Sequence, residues 1–185
     1  LLLLSIGICI VKDRNYEYLL FFELFIQFAA PILLVLDVKL TIIENKKIIN
    51  ALKIAIACTF IAHGLFAMGL LNLPGYFIDM TIQILGVNES QATAFLYVAG
   101  VLDIVMSILI FVPRLSKYAL VYMMLWGFAT AFARLFAGYN PNFMAMSFHN
   151  STYLVIYRAS HGLLPLIVLL LEKKYFKHVI QVPTK

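Results

Sequence analysis

Charge is what this chain has least of. Only 12% of its 185 residues are Asp, Glu, Lys or Arg, 63% are hydrophobic, and the mean hydropathy is +0.96. That balance excludes a soluble domain and makes lipid the solvent, where a chain satisfies its own backbone groups and long apolar runs do so as helices. Cysteine is scarce too. Cys9 and Cys58 each lie inside an apolar run, so neither a disulfide framework nor a CxxC metal motif is on offer, and both read as buried free thiols. Phosphate loops of the GK[ST] or GxGxxG kind are missing, and Ser107, Ser147 and Ser160 have no nucleophile elbow or base partner. A basic patch interleaved with aromatics is also lacking, so the net charge of +5 does not signal nucleic acid.

What is present is a succession of apolar segments, roughly 1–10, 19–37, 50–72, 92–112, 118–138 and 152–172. The first is too short to cross a ~30 Å hydrocarbon core at ~1.5 Å per residue, and reads as the end of a longer helix. It lacks the charged leader and cleavage site of a signal peptide. The expected architecture is therefore all-α and polytopic. An N-terminal pair of spans occupies 1–49, a four-helix transmembrane bundle 50–172, and a basic tail 173–185. After Pro74-Gly75, the residues Phe77, Met80, Ile84 and Leu85 fall on one side, as in a short helix lying in the interface. The stretch "YNPNFMAMSFHNS" at 139–151 reads as a second interfacial loop on the same side.

Lysine and arginine orient the bundle. Lys39, Lys46, Lys47, Lys53, Arg114, Lys117, Lys173, Lys174, Lys177 and Lys185 all fall on one side, which the positive-inside tendency makes cytoplasmic. Loops 73–91 and 139–151 contain no Lys or Arg and should face out. Two sequons, at Asn88 and Asn150, land on that outer side; they carry meaning only in a secretory-pathway protein, and the expected location is a bacterial cytoplasmic membrane.

Ionisable residues inside spans are costly and mark function by default. At helical rise, His63 lies ~20 Å, Asp103 ~14 Å, Arg134 ~24 Å, Arg158 ~21 Å and His161 ~17 Å from the basic side. Glu23 lies near the outer end of its span. Helical spacing sharpens the pattern. Thr93, Tyr97, Gly100, Asp103 and Ser107 form one stripe, and Trp126, Thr130, Arg134 and Gly138 another. Thr59 shares a face with His63, and Arg158 with His161, Pro165 and Glu172. Gly64, Gly69, Gly100, Gly127, Ala129 and Ala133 permit close backbone approach. Pro165 cannot donate to the His161 carbonyl, which leaves an acceptor beside that imidazole, or an ordinary kink satisfied locally.

These residues support several chemistries. His63 and His161, each followed by Gly-Leu ("IAHGLFAMG" and "ASHGLLPLI"), lie at depths within ~3 Å and could ligate a haem b or simply bridge helices. A zinc or iron site would want a third ligand, for which Asp103 alone is available. Arg134 and Arg158 suit an anionic or carbonyl-bearing ligand, or else a structural ion pair or snorkelling. The ligand-binding candidates are His63, Asp103, Arg134, Arg158 and His161.

The segments "FIAHGLFAMG" and "AGVLDIVMSILIFVPRLSKYALVYMMLWGFATAFARL" resemble the DoxX-like membrane family over about 50–172. The residues that carry it are His63-Gly64, Gly100-Val101-Leu102-Asp103, the turn Arg114 to Lys117, and 118–134. The chain departs from the family in "LFAMG" after His-Gly, in Asp103 where Glu is usual, and in its extra N-terminal spans. The resemblance implies a four-helix membrane bundle and a link to quinone-coupled or stress-related redox chemistry. The expected function is accordingly an outer-half polar pocket for a quinone-like ligand, with His63, His161 and Asp103 exchanging protons or hydrogen bonds and Arg158 stabilising negative charge. The competing expectations are an accessory subunit of a larger membrane complex with a redox partner, and a small-solute transporter, for which no inverted repeat is visible.

Overall fold

In lipid each span must close its own backbone hydrogen bonds, and the computed structural model is helical accordingly. It describes residues 2–15, 17–39, 46–71 and 73–181. The helices are α1 (Leu2–Asp13), α2 (Tyr18–Glu23), α3 (Phe25–Lys39), α4 (Lys46–Ala67), α5 (Gly75–Leu85), α6 (Glu89–Leu109), α7 (Ser116–Ala137), α8 (Met144–Arg158) and α9 (Ser160–Gln181). Among the described residues four stretches are long and apolar enough to cross a membrane: Lys46–Ala67, Glu89–Leu109, Ser116–Ala137 and Pro141–Lys173. The protein is an integral, multi-pass helical membrane protein.

The turns between α4, α6, α7 and α9 alternate their directions, and α4 packs chiefly on α6 while α7 packs on α9. Asn88 starts α6 with a capping box. Its side-chain oxygen accepts from the Gln91 N–H (2.9 Å) while the Gln91 side chain accepts from the Asn88 N–H (3.2 Å). The sequon residue Asn88 is thus engaged in holding a helix end. Toward the basic end, Ile49, Ile56, Leu120, Met123, Leu164 and Val168 form the main apolar core. Beside it, Lys53 Nζ lies 2.5 Å from Glu172 Oε1 and the Ser116 hydroxyl donates to Glu172 Oε2 (3.0 Å). One ion pair and one hydroxyl therefore join α4, α7 and α9.

Two expectations change here. The apolar segment 19–37 is not one helix; it breaks at Leu24 between α2 and α3. Leu24 is no helix breaker, and Pro31, which is one, lies inside α3. The cause comes from α4. The Ile26 N–H, which a regular helix would direct at the Phe22 carbonyl, donates to Thr59 Oγ1 (3.0 Å), and the Thr59 hydroxyl donates to Phe22 O (3.2 Å). A side chain inserted into the ladder opens the helix while satisfying both backbone groups. The second change is at 139–151, expected as a loop. It is a short 3-10 turn (Pro141–Phe143) that runs into α8, whose residues are largely exposed.

The last span is also broken, at Ala159. Gly162 N–H donates to Ala159 O (3.1 Å), which frees the Arg158 carbonyl to accept from the His161 ring at Nδ1 (3.2 Å). Pro165 sits within α9, one turn beyond. The basic tail beyond Lys173 continues as helix to Gln181, and residues 182–185 lie outside the described residues.

Candidate functional site

His63 and Asp103 meet because α4 and α6 approach closely. A Cβ on Gly64 would stand 2.7 Å from the Gly100 carbonyl, and one on Gly100 would stand 2.6 Å from the Gly64 carbonyl. Only two facing glycines allow that distance. One residue before Gly64, the His63 ring N–H at Nδ1 donates to Asp103 Oδ2 (2.9 Å). Asp103 is fully buried, and its other oxygen accepts from the Tyr122 hydroxyl of α7 (3.1 Å). The carboxylate is therefore held by two donors from two helices, which compensates its burial. With Nδ1 engaged, Nε2 is the ring nitrogen His63 has left for anything else.

His63 forms part of the wall of a cavity of about 170 Å³. The other walls come from α5 (Phe77, Met80, Thr81, Ile84, Leu85), α6 (Phe95, Leu96) and α7 (Trp126, Ala129, Thr130, Ala133, Arg134). Phe77 lies against the imidazole with ring centroids 5.1 Å apart, and Phe95 against Trp126 at 6.2 Å. The expected α7 stripe of Trp126, Thr130 and Arg134 does face one interior space. The α6 stripe divides: Gly100, Asp103 and Ser107 are buried, whereas Thr93 and Tyr97 are exposed.

The remaining candidates are placed elsewhere. Arg158 Nη1 lies 2.5 Å from Glu23 Oε1, and Glu23 is fully buried. This pair joins the break in α2–α3 to the break in α8–α9. His161 is buried on the Arg158 carbonyl and is not among the cavity walls. Its own carbonyl lies against Gly127 of α7, where a Cβ would clash with it. Arg134 donates through Nη1 to the Thr130 carbonyl (2.7 Å), and no carboxylate pairs with it among the described residues. Next to the cavity, Tyr76 stands outside the spanning helices; desolvation, and then the negative charge of Glu23, push its hydroxyl up to about 12.

Three participants were not among the sequence candidates. Tyr122 is one turn before Trp126 on the stripe already recognised, so the spacing could have found it. Glu23 was visible as an intramembrane acid, but its partner lies 135 residues away. Thr59 shares a face with His63 yet serves the break in α2–α3 instead. Among the described residues no cluster of three or more His, Cys, Asp or Glu could hold a metal ion. No family model, curated protein or solved structure matches the chain.

Proposed function

We propose that this protein binds a small lipophilic ring ligand carrying carbonyl or hydroxyl oxygens, of the quinone type, in the cavity walled by His63, Trp126 and Arg134, and that it serves membrane redox chemistry through that ligand. The observation that carries this reading is His63 itself. Its Nδ1 is fixed on the buried Asp103 while the ring borders an apolar cavity. An imidazole so held can serve both forms of such a ligand. With Nε2 bare it accepts from a ligand hydroxyl; with Nε2 protonated it donates to a carbonyl, and the Asp103 carboxylate balances the imidazolium. The aromatic walls at Phe77, Phe95 and Trp126 suit a flat ring. In this reading Arg134 takes the part first given to Arg158, which is occupied by Glu23.

The DoxX-like resemblance of residues 50–172 belongs to the same proposal, as does placement in a bacterial cytoplasmic membrane with loops 73–91 and 139–151 outside. The asymmetry of Lys and Arg supports that orientation.

Trp126 is the only tryptophan and borders the cavity, so its emission reports occupancy. A short-chain naphthoquinone should quench it saturably in the purified protein. His63→Ala and Asp103→Asn should each weaken binding about tenfold, the size of one lost hydrogen bond to a charged group. Absence of saturable quenching, or indifference to both substitutions, removes the reading.

A second reading, an accessory subunit in a larger membrane complex, is favoured by α8, where Met144, Met146, Phe148, Tyr153 and Ile156 are all exposed. Copurification of a stoichiometric partner lost on α8 substitution, together with unchanged quinone binding in His63→Ala, supports it.

A further inference from the structure

The polar groups around the cavity are unequally spent. Thr81 donates its hydroxyl to the Phe77 carbonyl (2.8 Å) and Thr130 donates to the Gly127 carbonyl (3.2 Å). Both hydroxyls are thereby turned to their own helices. The Trp126 Nε1 atom is sealed off, fully buried and without a hydrogen-bond partner among the described residues. Apart from His63, one donor group remains. The half-buried Arg134 gives one nitrogen to a backbone carbonyl, and no carboxylate stands within ion-pair distance among the described residues. The contrast with the other buried cations is informative: Arg158 has Glu23 and Lys53 has Glu172. Arg134 alone of these three borders the cavity, and it alone has no acid within ion-pair distance among the described residues.

An arginine keeps its charge in lipid and offers a planar fork that fits a carboxylate or a delocalised enolate. An apolar cavity bordered by a guanidinium without an ion-pair partner is complementary to an acceptor-rich anion on a lipophilic body. We infer that the cavity selects acidic lipophilic ligands, with the ligand's anionic oxygens on Arg134 and its apolar body against Phe77, Phe95 and Leu96. This rests on the cavity being the binding site proposed above, and it adds a charge preference that a neutral quinone does not require. Two sources share the chemistry: an acidic hydroxyquinone and a fatty acid.

The test compares three probes on the intact chain in lipid nanodiscs, read through Trp126 emission. They are a neutral naphthoquinone, its hydroxy-substituted analogue of the same ring that is ionised at neutral pH, and a brominated long-chain fatty acid, which quenches on its own as well as competing. The hydroxyquinone should bind about tenfold more tightly than the neutral ring, the loss expected of one charge-assisted contact. Arg134→Gln should abolish that preference, and Arg134→Lys should keep part of it, which separates charge from fold. Equal affinity for the neutral and acidic rings overturns the inference and leaves the quinone reading standing. Binding of the fatty acid with no binding of either quinone overturns the quinone reading and leaves the acid preference standing, with a lipid as its source. No response to any probe overturns both.

Discussion

Glu23 and Arg158 meet at the two places where helices break. The carboxylate sits at the end of α2, the guanidinium at the end of α8, and their contact of 2.5 Å closes the junction between the N-terminal helices and the last span. Removing either partner leaves the other as an uncompensated buried charge. Glu23→Leu and Arg158→Met should each cost about 3–5 kcal/mol. Replacing both, as Glu23→Leu with Arg158→Met, should recover most of that loss, because a well-packed apolar pair needs no counter-ion. Unfolding midpoints of the four proteins in one detergent give the coupling directly. Additive losses would mean that the pair does not act as a unit.

Thr59 should behave as part of the backbone of a helix it does not belong to. Thr59→Val keeps the shape and removes the hydroxyl that serves Ile26 N–H and Phe22 O. With the break retained, two buried backbone groups lose their partner, at a cost of about 1–3 kcal/mol. Thr59→Ser restores the hydroxyl and should restore stability. Should Val match the wild type while amide exchange at Ile26 slows, the helix has instead closed over the break, and the insertion is not what opens it.

The Gly64–Gly100 crossing sets the His63–Asp103 distance. Gly100→Ala introduces a Cβ against the Gly64 carbonyl and Met68, forcing α4 and α6 apart. Overpacking of this kind costs about 1–3 kcal/mol. Its more specific consequence is at the neighbouring dyad, whose 2.9 Å hydrogen bond lengthens. The nitrogen NMR shifts of His63 should then move toward those of a ring without a carboxylate partner, as they should in Asp103→Asn. Unchanged His63 shifts in a folded Gly100→Ala protein would show that the crossing does not position the imidazole.

The sequence made the spans legible where apolar length alone decides them. Segments 50–72, 92–112 and 118–138 lie within a few residues of α4, α6 and α7. Helical rise converts sequence position into height and matched His63 with His161, whereas the structure gives His63 to Asp103, which that reckoning put ~6 Å lower. The α7 stripe was legible through its period. What escaped was whatever depends on a partner in another helix. Nothing about Leu24 or Ala159 marks a break; Thr59 makes the first, and at the second the His161 ring takes the freed carbonyl of Arg158. The true breakers, Pro31 and Pro165, lie inside helices. Depth placed Arg158 beside the histidines but could not say that Glu23 would claim it. Residues 139–151 looked like a loop because Asn, Pro and Ser are frequent there, yet the chain after Pro141 continues as helix.

The fastening at the basic end has a mechanical meaning. Lys53, Glu172 and Ser116 tie three long helices together there, beside the largest apolar core, whereas the opposite end encloses open space bounded by the short α5. The long helices are tied at that end too, by the His63–Asp103–Tyr122 chain, so the looser wall is α5, and amide exchange should be faster there than around Lys53 and Glu172.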